Sequence, residues 1–134
     1  MKVEEKVKQY LDKIKKENTK INAFLEINSQ VIDEARVIDA KKKKGRLYGY
    51  VIGVKSNINV KGLTCSCASR VLENYRATYD ATVIEKIKAE DGVIIGMTNC
   101  DEFAAGVSGE NSAFGPTENP SVRGHVAGGS SSGS

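Results

Sequence analysis

Serine hydroxyls are concentrated in residues 128–134, which read Gly-Gly-Ser-Ser-Ser-Gly-Ser. As composition alone, such a segment is a flexible linker or the remnant of an expression tag. As chemistry, several hydroxyls in a tight glycine loop suit acyl transfer through a serine. The two interpretations are opposed, so the residues that could activate a serine decide between them.

Histidine is the usual base beside a nucleophilic serine, and His125 is the only histidine of this chain. It lies in a predicted loop next to Arg123, where we expect it to be solvated rather than catalytic. Residues 129–133 match the G-x-S-x-G pattern of the α/β-hydrolase nucleophile elbow. That elbow requires a preceding strand, and residues 120–125 have no strand pattern, so we do not favour it.

Lys55 is the other candidate base. The apolar residues 51–54 precede it and polar residues follow it, as at the end of a buried strand. Burial disfavours the charged form of an amine, and a neutral amine can accept a proton from a serine hydroxyl. Periodicity alone favours the other interpretation, in which an edge-strand lysine extends its ammonium group to water.

The composition, with 40% hydrophobic and 28% charged residues, is that of an ordinary soluble domain. The net charge of +3 does not by itself indicate nucleic-acid binding, and the basic run 41–46 is expected at the solvated end of a helix. No apolar run approaches the roughly 18 residues of a membrane span, and the amino terminus has no signal-peptide pattern. We therefore expect a cytoplasmic protein.

The three cysteines are Cys65, Cys67 and Cys100. Cys65 and Cys67 form a C-x-C pair, but a zinc site would need a second pair of cysteines or histidines. We expect reduced thiols and no metal.

Helical and strand patterns in the first half of the chain indicate the elements that carry these residues. Apolar residues at helical spacing predict an amphipathic helix over residues 3–17, followed by a short strand within residues 21–27. Ser29 is expected to cap a second helix that continues to about residue 43. Its predicted buried face consists of Val31, Ile32, Ala35 and Ile38. Residues 48–60 are rich in β-forming residues and contain Lys55.

The second half predicts a helix over residues 81–90, capped by Asp80, and then a strand. The continuous apolar run 93–97 is typical of a strand buried on both faces. A helix followed by a buried strand occurs more than once along the chain, and this alternation favours an α/β fold. Asn99 with Glu102 fits a capping box at the start of a further short helix, and regular structure is expected to be sparse after residue 106.

Several segments occur in the order and spacing of a known family. They are Gly53-Val54-Lys55 with Asn57-Ile58, Cys67-Ala68-Ser69, residues 98–106, residues 108–117, Asn119-Pro120 and Gly128-Gly129-Ser130-Ser131. Together they resemble the amidase signature family, over nearly the whole chain. The Asp-Glu-Phe-Ala and Glu-Asn-Ser-Ala-Phe-Gly-Pro segments look most like A subunits of glutamyl-tRNA(Gln) amidotransferases. The implied fold is the N-terminal portion of one amidase-signature domain over residues 1–134, a mixed central sheet covered by helices and preceded by two amphipathic helices.

The resemblance implies a Ser-cisSer-Lys triad. Lys55 matches the catalytic lysine, and Ser130 matches the cis-serine that relays a proton between lysine and nucleophile. The nucleophilic serine belongs to a later Asp-x-Gly-Gly-Ser motif that lies beyond residue 134, as do the amides of the oxyanion hole. We therefore expect the chain alone to be inactive, with the active site cut at the Gly-Gly-Ser-Ser-Ser-Gly-Ser loop.

The resemblance also implies a function. The A subunit would hydrolyse glutamine and release ammonia, while a B subunit uses ATP and Mg²⁺ to activate Glu-tRNA(Gln) for conversion to Gln-tRNA(Gln). A small C subunit would complete the complex, and the A subunit would hold no cofactor or metal and contact no membrane. Asp-tRNA(Asn) could replace Glu-tRNA(Gln). Two other interpretations stay open, another amide hydrolase of the same family and a non-catalytic fragment.

Three residues depart from the family pattern. Ser56 stands where many members have aspartate, Val107 where a small polar residue is frequent near the acyl pocket, and Ser132 where many have glycine. A serine in place of that glycine predicts that its backbone does not need a positive φ. None of the three changes Lys55 or Ser130.

Overall fold

The computed structural model describes all residues from Met1 to Ser134. The helices are α1 (Val3–Ile21), α2 (Val31–Ala40) and α3 (Thr82–Ala89), and the strands are β1 (Phe24–Ile27), β2 (Val51–Lys55) and β3 (Val93–Thr98). Two short 3-10 turns occupy Arg70–Leu72 and Glu102–Ala104. None of the helices combines the length and the apolar character that a membrane span requires.

The strands form one mixed sheet in the order β1-β3-β2. Strand β2 runs parallel to β3, and β1 runs antiparallel to it. Every residue of the central strand β3 is buried, because both of its faces are covered. Val93 and Ile95 pack with α1 and α2 on one face, while Ile94 and Met97 pack with α3 on the other. The predicted α/β fold and the doubly buried strand are therefore confirmed.

Helix α1 is longer than its predicted range and ends where Asn22 adopts the left-handed conformation, with φ 55°. The N–H of Asn22 donates to the carbonyl of Asn18 at 2.7 Å and closes the last turn. Val3 and Val7 of α1 pack against the buried face of α2. The predicted strand of residues 21–27 is consequently shorter, since Ile21 belongs to the helix.

The prediction that Ser29 caps α2 is wrong. The helix starts after Gln30, whose N–H donates to the side chain of Asn28 at 3.0 Å. It also ends at Ala40, before the predicted end near residue 43. Lys44 then folds back, and its Nζ donates to the carbonyls of Ile38 and Asp39, each at 2.7 Å. A lysine on the free carbonyls of a helix end is favourable, so the basic run does lie at the end of the helix.

Two other predicted caps are wrong because the polar side chain has a different partner. Asp80 does not cap α3, because its carboxylate accepts from the N–H of Lys61 and the Nζ of Lys88. Asn99 forms no capping box with Glu102, because its side-chain oxygen accepts from the N–H of Cys100 at 2.9 Å. A distant backbone group therefore displaces the expected cap at Asp80, and an adjacent one does so at Asn99.

The C-terminal ends of β2 and β3 lie side by side, since Lys55 and Thr98 are paired in the sheet register. The β-rich residues 48–60 contribute only Val51–Lys55 to this sheet. The last residues of the chain return to the same edge, where the N–H of Gly133 donates to the carbonyl of Asn99 at 3.0 Å. This edge therefore gathers residues from three distant parts of the sequence.

Candidate active site

Lys55 and Ser130 meet at the carboxyl edge of the sheet. The Nζ of Lys55 donates to the Oγ of Ser130 at 2.6 Å and to the Oγ of Ser131 at 2.9 Å. Lys55 is the last residue of β2, so the parallel pairing with β3 directs it to the edge that the serine loop covers. The two residues that the sequence singled out are thus in contact, although 75 positions separate them.

The serine loop is packed against the protein and does not extend as a linker. The N–H of Gly128 donates to the carbonyl of Ser108 at 3.1 Å, and the carbonyl of Ser130 accepts from the N–H of Asp101 at 2.9 Å. The backbone of Gly128 has φ 90°, a value that favours glycine. The peptide bond between Gly129 and Ser130 is cis, as the family resemblance implies.

Two residues of this site are not identified by the sequence analysis. Ser131 shares the Nζ of Lys55 with Ser130, and its position directly after Ser130 was the available signal. Asp101 is fully buried, and its carboxylate accepts from the N–H groups of Gly109 and Asn111 at 3.1 and 3.0 Å. The available signal is the Asp-Glu-Phe-Ala segment of the family pattern, which begins with Asp101.

The site can transfer a proton between an amine and a hydroxyl. A lysine nitrogen within hydrogen-bond distance of a serine oxygen is the arrangement that general acid–base catalysis requires. Lys55 makes side-chain hydrogen bonds only to the two serine hydroxyls. The chain contains no group of three or more histidine, cysteine or acidic side chains that could hold a metal ion.

Comparison with protein families identifies the family of this chain. The profile of the family described as Amidase matches residues 5–134. The chain belongs to the amidase family. The A subunit of the glutamyl-tRNA(Gln) amidotransferase of Methanocaldococcus jannaschii is 58% identical over 133 residues, which are 97% of this chain and 31% of that protein. The corresponding protein of Methanothermobacter thermautotrophicus is 56% identical over 135 residues, covering 97% of this chain and 30% of that protein.

Solved structures of related proteins share the fold. The A subunit of the glutamyl-tRNA(Gln) amidotransferase of Thermotoga maritima superposes with a TM-score of 0.86 at 40% identity, covering 98% of this chain and 27% of that one. The peptide amidase of Stenotrophomonas maltophilia superposes with a TM-score of 0.93 at 28% identity, covering 100% of this chain and 30% of that one. The chain spans about 31% of the length of the curated relative from Methanocaldococcus jannaschii.

Ser56, which departs from the family pattern, connects the strand that ends at Lys55 to the cysteines. Its side chain is buried, with Oγ 3.3 Å from the Sγ of Cys100. Its carbonyl accepts from the N–H of Cys67 at 2.9 Å and from the thiol of Cys65 at 3.2 Å. Burial, with the neighbouring Cys67, raises the pKa of Cys65 to about 11. Cys65 therefore acts as a small protonated side chain at neutral pH, and all three cysteines are free.

Ser132 also fits the amidase loop without strain. Its backbone lies outside the left-handed region, which confirms the prediction made from the substitution of a frequent glycine. The hydroxyl is buried and lies 3.1 Å from the Oγ1 of Thr117. The added side chain is accommodated because its neighbour Gly109 has none, and a Cβ there would come within 2.6 Å of the Cβ of Ser132.

The remaining candidates lie on the surface. His125 is exposed, and its Nδ1 is 3.4 Å from the carbonyl of Arg123. The residues before the serine loop form turns and an isolated bridge between Glu118 and Val126 instead of a strand. Val107 is 85% exposed. Residues 129–133 therefore do not form a nucleophile elbow.

Proposed function

We propose that this chain is the N-terminal portion of the A subunit of a glutamyl-tRNA(Gln) amidotransferase. In this proposal the subunit hydrolyses the side-chain amide of glutamine and supplies ammonia for the conversion of Glu-tRNA(Gln) to Gln-tRNA(Gln). The observation that carries it is the 2.6 Å contact between Lys55 Nζ and Ser130 Oγ. The identity of 58% with the A subunit of Methanocaldococcus jannaschii supports the assignment.

The proposed chemistry uses Lys55 as the base and Ser130 as the relay. Ser130 gives its proton to Lys55 while it takes one from the nucleophilic serine, which then attacks the amide carbon of glutamine. The proton returns through Ser130 to the leaving nitrogen, so ammonia departs and a glutamyl ester remains. Water then cleaves the ester by the reverse path, and the sum is glutamine plus water giving glutamate plus ammonia.

The attacking serine is assigned to the Asp-x-Gly-Gly-Ser motif that follows residue 134 in the complete subunit. The length of the relatives supports this assignment, because this chain corresponds to 31% of the Methanocaldococcus jannaschii protein. The proposal therefore predicts that the isolated chain of residues 1–134 releases no ammonia from glutamine. A coupled glutamate dehydrogenase assay measures this directly, and ammonia release by the purified chain would contradict the assignment.

The other substrates belong to partner subunits in this proposal. A B subunit binds ATP and Mg²⁺ and activates the γ-carboxylate of the mischarged tRNA, and a small C subunit completes a cytoplasmic complex. The A subunit supplies residues for the glutamine reaction and needs no metal for it. Asp-tRNA(Asn) is a second acceptor that the same ammonia could serve.

A stand-alone amide hydrolase is the second candidate function. The observation in its favour is the TM-score of 0.93 with the peptide amidase, against 0.86 with the amidotransferase protein. The two candidates differ in their dependence on partners. An amidotransferase requires its B subunit, ATP and tRNA to make Gln-tRNA(Gln), whereas a stand-alone hydrolase releases ammonia from simple amides without them.

The deciding experiment uses the complete A subunit, purified by itself and together with its B and C partners. Formation of Gln-tRNA(Gln) is measured from labelled Glu-tRNA(Gln), with glutamine as the nitrogen donor and with ATP present or omitted. We expect product only with the partners and ATP. A complete protein that fails to form this product but hydrolyses simple amides would support the second candidate.

A further inference from the structure

Asp101 is a buried carboxylate that has only backbone donors as partners. It lies just beyond the C-terminal end of β3, and it is fully buried. One oxygen accepts from the N–H of Gly109 and the other from the N–H of Asn111. No lysine or arginine forms an ion pair with it. A buried carboxylate is costly unless its hydrogen bonds are well made, so an aspartate at this position requires an explanation.

The same residue holds the serine loop directly. The N–H of Asp101 donates to the carbonyl of Ser130 at 2.9 Å. Its Oδ2 lies so close to Gly129 that a Cβ at that position would overlap the oxygen. A Cβ on Gly106 would likewise come within 2.5 Å of the Asp101 Cγ. The carboxylate therefore fills a slot between two glycines, neither of which has a positive φ. Close approach explains both glycines.

These contacts join two loops around one side chain. Residues 106–111 are held through the carboxylate, and residues 128–130 are held through the backbone N–H and the contact with Gly129. Ser130 is thus located from two sides, since its carbonyl binds Asp101 and its Oγ binds Lys55. A shift of the Asp101 side chain would move the relay hydroxyl relative to the lysine.

We infer that Asp101 is a positioning residue for the lysine–serine contact, an inference that rests on the proposed function. It acts on Ser130 through the loop and does not touch the reacting atoms. The expected consequence is a selective effect on turnover, because a displacement of about 1 Å in catalytic geometry can cost about 100-fold in rate. Loss of global stability alone would not produce that selectivity.

The test compares two buried aspartates in the complete protein. Asp101→Asn keeps the shape but replaces one acceptor oxygen by an NH₂ group, which cannot accept from Gly109 or Asn111. Asp91→Asn is the matched control, because Asp91 is also buried and accepts from the N–H of Gly45 at 2.6 Å. For glutamine hydrolysis we expect kcat to fall about 10- to 100-fold in Asp101→Asn with KM unchanged. Asp91→Asn is expected to lower the Tm and leave kcat unchanged.

A second variant keeps the result decisive if Asp101→Asn does not fold. Gly106→Ala retains the carboxylate but pushes against it, and it is expected to lower kcat in the same selective way. Its control is Gly92→Ala, which is crowded to a similar degree, with a Cβ 2.6 Å from the Cγ2 of Ile87.

A crystal structure of each variant separates this inference from the proposed function. We expect the Lys55–Ser130 contact of 2.6 Å to lengthen in Asp101→Asn or Gly106→Ala and to persist in the two controls. An unchanged contact together with normal kcat in a folded Asp101→Asn or Gly106→Ala variant would overturn the inference. A complete wild-type protein without glutaminase activity would count against the proposed function instead, while the contact distance would still decide the role of Asp101.

Discussion

A buried aspartate lies just outside each end of strand β3, Asp91 before it and Asp101 after it, and the two have different partners. At the N-terminal end, Asp91 accepts from the N–H of Gly45 and forms an ion pair with Lys41 at 2.5 Å. At the C-terminal end, Asp101 has only backbone N–H partners, and the nearby Lys55 donates only to serine hydroxyls. At the N-terminal end Lys41 is therefore paired with a carboxylate. At the C-terminal end Lys55 contacts hydroxyl groups, which can exchange a proton with it.

The difference explains how one strand can be both a scaffold and part of a site. At the N-terminal end the ion pair between Lys41 and Asp91 has a structural role, because it ties Lys41 to the start of the strand. At the C-terminal end the Nζ of Lys55 contacts serine hydroxyls, which are groups with which an amine can exchange a proton. The sheet supplies the same rigid support to both ends, since every residue of β3 is buried.

The largest expected effect comes from the lysine at the C-terminal end. In the complete protein, Lys55→Ala removes the base and is expected to lower glutaminase turnover by about 100- to 10,000-fold. Lys86→Ala is the matched control, because Lys86 is an exposed lysine of α3. Ammonia release from glutamine measures both variants. Normal turnover in Lys55→Ala would show that Lys55 is not the base, and the two ends of β3 would then not differ in function.

The second effect separates the two serines that contact Lys55. Ser130→Ala is expected to abolish the relay and to lower kcat severely, about 100-fold or more. Ser131→Ala removes only the longer of the two contacts, at 2.9 Å against 2.6 Å, and is expected to cause a smaller loss. Steady-state kinetics with glutamine compares them, and Ser29→Ala serves as a control because Ser29 is exposed. Equal turnover of Ser130→Ala and wild type would refute the relay assignment.

The smallest effect concerns the stability of the N-terminal end. The hydrogen bond from Lys41, with that from the Gly45 N–H, holds the pKa of Asp91 below its ordinary value. A carboxyl with a lowered pKa stabilises the folded state above the pKa of the unfolded chain, about 3.9, and loses that contribution as the pH falls through the folded pKa. Asp91→Asn is expected to lower the free energy of unfolding by about 1–3 kcal/mol at pH 7.

Urea unfolding of wild type and Asp91→Asn at pH 7 and at pH values below about 4 measures this effect. The difference in the free energy of unfolding between the two proteins is expected to shrink at the acid end. A difference that stays constant with pH would show that the ion pair contributes nothing beyond its neutral hydrogen bonds.

The fold was largely predictable because its signals are local. The uninterrupted apolar run of 93–97 can be buried only between two layers, and the structure places it in the centre of the sheet. Helical spacing located α1 and α2 because one apolar face must pack against the other elements. The ordered motifs around Lys55 and Ser130 identified the family, and the match over residues 5–134 confirms it.

Besides the bounds of α1, α2 and β1, the predictions that failed concern polar side chains. Ser29 and Asp80 were expected to cap helices, but Asn28 and the distant Lys61 determine the local hydrogen bonds. Asp101 was not identified as part of the site because its partners, Gly109 and Asn111, carry no pattern that points back to it. A polar side chain bonds to whichever donor lies nearest in three dimensions, and local spacing does not specify that donor.

The amino-acid sequence by itself determined the α/β class, the buried central strand and, through the family resemblance, the candidate lysine and serine. Only the tertiary structure decided that Lys55 reaches both Ser130 and Ser131, and that Asp101 holds the loop that carries them. Hydrophobic periodicity can be read from the sequence, because the side chains that share one face of a helix or strand recur at the period of that element. A hydrogen bond across 75 residues depends on how the chain is brought together, so it is set by the sheet and its loops.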